Sequence, residues 1–143
     1  MKLNEIMTNE VEVLHPDDTI QVAAQKMRDL DIGFLPVLQD DELIGVITDR
    51  DLVVRMMADG VNAEAMIGRD ILTSPVIYCF DDQEIDEAMD IMRQHRIRRL
   101  VVLDSDDSKI VGVLSLGDLA THLAPGLTEP ILREISGGLV KAH

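Results

Sequence analysis

The sequence predicts a mixed α/β (α+β) fold built from two copies of one β-α-β-β-α unit. Three observations predict it: an internal repeat, the same order of helical and strand-like apolar spacing in both copies, and turn residues between the elements. Laying residues 5–38 over 70–103 pairs Glu5 with Asp70, Ile6 with Ile71, Thr8 with Thr73, Val11 with Val76, Ile20 with Ile85, Ala23 with Ala88, Met27 with Met92 and Ile32 with Ile97. The offset is a constant 65 residues. Two extra residues in the 104–109 turn move later matches to 67, so Gly45-Val46-Ile47-Thr48 lies over Gly112-Val113-Leu114-Ser115 and Asp51-Leu52 over Asp118-Leu119.

In the first copy, Ile20, Ala23, Ala24, Met27 and Leu30 follow helical spacing, with Asp18 and Gln21 as a capping box. They predict a helix near 19–30, stopped at Gly33. Residues 34–38 read as a strand, Asp40-Asp41-Glu42 as a turn, 43–47 as a second strand and 49–58 as a helix closed by Gly60. Pro36 supplies no ladder donor and belongs at an edge, a strand end or a bulge. The second copy repeats the order: a helix near 84–95 with Ile85, Ala88, Met89 and Met92 inward, strands near 99–103 and 110–114, and a helix over 117–123. Residues 1–60 and 61–123 are the expected domains, docked into one body. Beyond them, 124–143 form a C-terminal tail in which Thr128-Glu129-Pro130 caps a short helix to about Ile135; it covers apolar surface, contacts a second subunit or frays.

Composition narrows the function. A hydrophobic fraction of 46% supplies a core and 28% charged residues cover it. The net charge of −14, from 27 acidic and 13 basic side chains, opposes a polyanion and argues against general nucleic-acid binding. No apolar stretch approaches the length of a bilayer span, and Glu5 precedes any leader-like run, so a cytoplasmic protein without a membrane partner is expected. The single Cys79, in the apolar run Val76-Ile77-Tyr78-Cys79-Phe80, reads as a buried structural thiol. The acidic groups Asp17-Asp18, Asp40-Asp41-Glu42, Asp81-Asp82 and Asp104/Asp106-Asp107 fall at turns and read as solvated, and His15, His122 and His143 are dispersed, so no metal site is expected. Ser115 has only a carboxylate as its expected neighbour, which leaves no nucleophile with a base and hence no enzyme.

The chemistry concentrates in Gly45-Val46-Ile47-Thr48-Asp49-Arg50-Asp51 and Gly112-Val113-Leu114-Ser115-Leu116-Gly117-Asp118. In each, a hydroxyl ends a strand and a carboxylate follows three residues later on the first turn of a helix. One reading is a helix cap, because Thr and Ser are good N-caps and an acidic third residue suits the positive helix end. The other uses the same geometry to bind: a carboxylate accepts from the two vicinal hydroxyls of a ribose.

On these residues the chain resembles the tandem cystathionine-β-synthase-type (CBS) domain pair, or Bateman module, of the small stand-alone kind. The likeness runs from Leu3 to Leu123. It rests on the Ile6-Met7-Thr8 and Ile71-Leu72-Thr73 lead-ins, the helices with inward Ala and Met, the Gly33-Phe34-Leu35-Pro36-Val37 strand and the paired Gly-x-x-Thr/Ser-x-x-Asp turns. The resemblance implies two pseudo-symmetric clefts between the halves that bind AMP, ADP, ATP or S-adenosylmethionine, a homodimer, and a regulated protein partner. By that likeness Thr48 with Asp51 and Ser115 with Asp118 hold the riboses. Thr8 and Thr73, with Val13 and Tyr78, approach sugar and base, and Ile32, Phe34 and Pro36 complete the first copy's set. A cleft can draw its lead-in from one copy and its turn from the other. Val101 stands where the first copy has Pro36, which bears on the local strand path.

Basic residues divide unequally. His95-Arg96-Ile97-Arg98-Arg99 lies over Leu30-Asp31-Ile32-Gly33-Phe34, so the second copy is locally positive and the first relies on Arg50 or backbone groups for an anion. Arg98 and Arg99 either hold phosphate through their forked donors or cover the surface of an acidic protein. The alternative to ligand sensing is a structural or protein-interaction module with little nucleotide affinity. Leu52, Val53, Met56 and Met57 on one expected helix, and Leu119 and Leu123 on the other, are the apolar positions expected to face a second copy.

Overall fold

The computed structural model describes residues 1–122 and residue 133; Leu123, the last residue of the expected final helix, and the expected 124–143 tail apart from residue 133 lie outside the described residues. The chain folds as two compact units, one of Glu12–Val76 (the first unit) and one joining Met1–Val11 to Ile77–His143 (the second unit). The units thus part at Val76 and Ile77, whereas the repeat placed a boundary after residue 60. Each lead-in explains the difference, because it packs on the sheet of the other copy.

In the first unit, α1 (Ile20–Leu30) starts at Thr19, whose Oγ1 accepts from the Val22 N–H at 3.2 Å. Asp18 is not the cap: its carboxylate turns back to accept from the His15 N–H at 2.9 Å. Ile20, Ala23 and Met27 are buried, while Ala24 and Leu30 of the expected stripe are exposed, since the buried face is a narrow i, i+3, i+7 line. The helix ends at Asp31 in the left-handed region (φ 53°), not at Gly33, and α4 (Ile85–His95) of the second unit ends the same way at Arg96 (φ 54°).

The strands β1 (Phe34–Gln39) and β2 (Glu42–Thr48) pair antiparallel through Asp40-Asp41. Both turn residues have positive φ (51° and 64°), as a two-residue hairpin turn matching strand twist requires. β2 runs into α2 (Asp49–Asp51), which continues as a π-helical segment over Leu52–Met57, so the expected 49–58 helix is wider-wound than an α-helix. The Ala58 N–H reaches back five residues to Val53 O at 3.0 Å. A short α3 (Gly68–Ile71) follows.

The second unit places β3 (Tyr78–Phe80) parallel to β4 (Arg99–Leu103), which pairs antiparallel with β5 (Ile110–Ser115), followed by α5 (Leu116–His122). The expected first strand of the first copy is reduced to one bridge at Leu14, whose N–H donates to Pro36 O while its carbonyl accepts from Leu38 N–H. The cause is Pro16. Its counterpart Asp81 extends the ladder by donating its N–H to Leu103 O at 2.9 Å, a bond proline cannot make.

Pro36 sits inside β1 opposite Val46, one residue before an irregularity at Val37/Leu38. It costs no bond to β2, because Val46 spends both backbone groups on Thr73: its N–H donates to Thr73 O (3.1 Å) and its O accepts from Thr73 N–H (2.8 Å). The missing Pro36 N–H faces the Leu14 side, where the equivalent Val101 pairs with Tyr78 and Pro36 has no pairing with Val13. Val101 takes the matching register opposite Val113, with the irregularity again one residue later, so the strand path is the same without proline. Val113 likewise exchanges two bonds with Thr8 (2.9 and 3.0 Å). Gly45 and Gly112 admit these lead-ins. A Cβ on Gly112 would stand 2.6 Å from Met7 Sδ and 2.9 Å from Thr8 O.

Each unit has its own core. Leu14, Ile20, Leu35, Ile47 and Ile71 anchor the first, and Leu3, Cys79, Met92, Leu100 and Leu114 the second. Leu52 and Met56 belong to the first core and Leu119 to the second, so these three do not face outward as expected. Of that set Val53 and Met57 are exposed, at 56% and 67%, and Val54, which the sequence reading did not name, is exposed beside them at 49%. Among the described residues no helix is long and apolar enough to cross a membrane.

Candidate functional site

Both turns have the geometry read from the sequence. In the first unit the Thr48 N–H donates to Asp51 Oδ2 (2.9 Å) and the Asp51 N–H to Thr48 Oγ1 (3.2 Å). In the second, the Ser115 N–H donates to Asp118 Oδ2 (2.9 Å) and the Asp118 N–H to Ser115 Oγ (3.0 Å). Each turn is therefore a reciprocal capping box. The strand delivers the hydroxyl and the first helical turn delivers the carboxylate, which is why three residues separate them. The other Asp51 oxygen, Oδ1, lies 3.8 Å from Arg55 Nε, and Arg55 Nη1 donates to Ile71 O at 3.0 Å.

Of the expected binding residues, Val13, Ile32, Phe34, Pro36, Thr48, Arg50, Asp51 and Thr73 fall in the first unit. Phe34 stands opposite Thr48, and Thr73 pairs with Val46, two residues before Thr48. Pro36 is buried, Val13 and Ile32 are half-buried, and Arg50 is exposed beside Asp49, whose Oδ1 accepts the Arg50 N–H at 2.8 Å. Thr8, Tyr78, Arg98, Arg99, Ser115 and Asp118 fall in the second unit. There Thr8, Val113, Val101 and Tyr78 form one row across the sheet, and Arg99 stands opposite Ser115. The Leu116 N–H donates to Arg98 O at 2.8 Å, which fixes Arg98 beside the Ser115/Asp118 turn. Tyr78 is exposed and meets Phe80 edge to face at 5.6 Å.

Sequence reasoning missed one residue, Asp49. Its N–H donates to Gly33 O at 3.0 Å, the same bond that joins Leu116 to Arg98, but its carboxylate folds over Gly33. A Cβ on Gly33 would stand 2.6 Å from Asp49 Oδ2. Gly33 makes room for a carboxylate; it does not stop a helix. The signal was a double exchange in the repeat, Gly33 with Asp49 against Arg98 with Leu116.

The comparisons agree with this architecture. The CBS-domain family profile matches twice, over residues 3–58 and 67–125, and the chain belongs to the CBS-domain family as a tandem pair. An uncharacterized protein of Methanopyrus kandleri, MK0525, is 36% identical over 136 residues, covering 94% of this chain and 68% of its own. The CBS domain-containing protein YhcV of Bacillus subtilis is 32% identical over 120 residues, 84% of each chain. Among solved structures, Hypoxic Response Protein I, crystallised with two coordinated zinc ions, superposes with a TM-score of 0.78 at 31% identity, over 87% of this chain and all of that one.

Proposed function

We propose that the chain is a non-enzymatic regulatory module of the cytoplasm whose Thr48/Asp51 and Ser115/Asp118 turns each hold the ribose of an adenosine compound such as AMP, ADP, ATP or S-adenosylmethionine. The bound state is read by a partner protein or by the chain's own dimer, for which exposed Val53, Val54 and Met57 are the contact positions. One observation carries the reading: in both turns the cap engages a single carboxylate oxygen, Oδ2. A carboxylate offers about four acceptor sites on two oxygens, so capping and ribose binding are compatible in one residue. Thr8 and Thr73, held within two residues of the turn hydroxyls along β5 and β2, supply further polar groups toward the sugar.

Asp51→Asn and Asp118→Asn test it. Asn keeps an oxygen to accept the capping N–H and loses the anionic acceptor for the sugar. Calorimetric titration with adenosine and AMP is expected to show each variant binding roughly tenfold to a hundredfold more weakly at its own turn, the scale of a charged hydrogen bond of about 1.5–3 kcal/mol. Lowered melting temperatures with wild-type affinities would overturn the reading and leave both aspartates as caps. Absence of binding by the wild type would instead favour an interaction module.

A further inference from the structure

We propose that Arg55 is a positioning residue for ribose recognition at the Thr48/Asp51 turn: braced on the Ile71 carbonyl, its guanidinium holds the second oxygen of Asp51 ready for the sugar, and the Ser115/Asp118 turn has no such brace. This rests on the adenosine reading and adds the residue that sets one of its two turns.

The observation is one side chain that spans two elements. The Thr48 N–H takes Asp51 Oδ2 (2.9 Å), which leaves Oδ1 to accept from a sugar hydroxyl. Arg55, four residues along, brings Nε to 3.8 Å from Oδ1, while its Nη1 donates to Ile71 O at 3.0 Å. The contact with Oδ1 is an ion pair beyond hydrogen-bond range, so it orients that oxygen and leaves its acceptor sites open. The firmer bond to Ile71 fixes the guanidinium in turn. A carboxylate oriented before the sugar arrives loses less side-chain freedom on binding, which is how a neighbour of the contact raises affinity.

The brace also closes a circuit within the first unit. Ile71 ends α3, and two residues on, Thr73 exchanges two backbone bonds with Val46 (3.1 and 2.8 Å), which precedes Thr48 by two residues on β2. Leu72, between them, lies against Gly45, where a Cβ would stand 2.6 Å from Leu72 Cδ1. Turn, arginine and lead-in therefore hold one another.

The second unit lacks the circuit. The repeat that sets Asp118 over Asp51 sets His122 over Arg55. His122 Nδ1 stands 2.9 Å from Asp118 O, a contact inside α5, and among the described residues no cation pairs with the Asp118 carboxylate. The two helices also differ in winding, since Arg55 lies in the π-helical segment Leu52–Met57 and His122 in an ordinary α-helix.

The test follows backbone amides of the full chain during titration with adenosine, with Thr48 and Asp51 reporting the first turn and Ser115 and Asp118 the second. Arg55→Gln keeps a donor for the Ile71 carbonyl and removes the charge facing Asp51. The first turn should then bind adenosine roughly fivefold more weakly, the upper end of what a partly exposed ion pair supplies, while the second keeps its affinity. Arg55→Lys restores the charge and should recover most of the loss. A role in stability alone predicts a lowered melting temperature with adenosine affinities unmoved. Unchanged first-turn affinity in Arg55→Gln, equal weakening at both turns, or no recovery in Arg55→Lys would overturn the positioning role, while adenosine binding by the wild type left the broader reading intact. Failure of the wild type to bind adenosine at either turn would overturn both.

Discussion

Gly112 and Gly33 each admit a close neighbour, yet the structure sets different costs on filling them. A methyl on Gly112 meets Thr8 O at 2.9 Å and Met7 Cγ at 3.0 Å, and Thr8 is tied by two backbone bonds to Val113. Gly112→Ala is expected to cost about 1–3 kcal/mol, the usual range for overpacking, measured by urea unfolding. A methyl on Gly33 meets the end of an exposed Asp49 side chain, which can swing into solvent, so Gly33→Ala should change stability by about 0.5 kcal/mol or less. Comparable losses for the two would contradict the distinction. At this scale the hydroxyl–carboxylate turns were legible, because a hydroxyl and a carboxylate three residues apart at a helix start have one local geometry whether they cap or bind. Gly33 was misread because its neighbour Asp49 reaches it across β1 and β2, a contact the local sequence does not encode.

The elements were legible where periodicity is strong. α1, α4 and both hairpins lie where spacing predicts, and the buried Ile20, Ala23 and Met27 recur as Ile85, Ala88 and Met92. What the sequence hid is nonlocal: the lead-ins cross to the other copy's sheet through single two-bond bridges, Thr8 with Val113 and Thr73 with Val46, too short to leave a pattern. β3 carries a testable consequence. Burial pushes the Cys79 thiol from its ordinary 9.0 up to about 11, with the negative charge of Glu87 adding to it. A raised folded pKa means the stabilising difference is complete below the unfolded value and is lost as pH climbs from 9.0 through about 11. Urea unfolding at pH 8 and pH 10.5 should therefore show a loss in wild type that is smaller in Cys79→Ala. Equal losses in the two would place the alkaline sensitivity elsewhere.

At the scale of the whole molecule, the exposed Val53, Val54 and Met57 form an apolar group on a π-helical segment whose other side is locked into the first core by Leu52 and Met56. Covering such side chains is worth roughly 25 cal/mol per Å² of apolar area. Sedimentation equilibrium should show a dimer at micromolar concentration, and Met57→Glu should shift it toward monomer. A wild-type monomer throughout that range would contradict self-association by this face. Binding of an adenosine compound at the hydroxyl–carboxylate turns can be read from the backbone amide resonances of the whole chain during titration with AMP. Saturable shifts concentrated at Ser115, Leu116 and Asp118 are expected, with Thr8 and Arg98 close behind. Saturable binding that leaves those amides unmoved would contradict it.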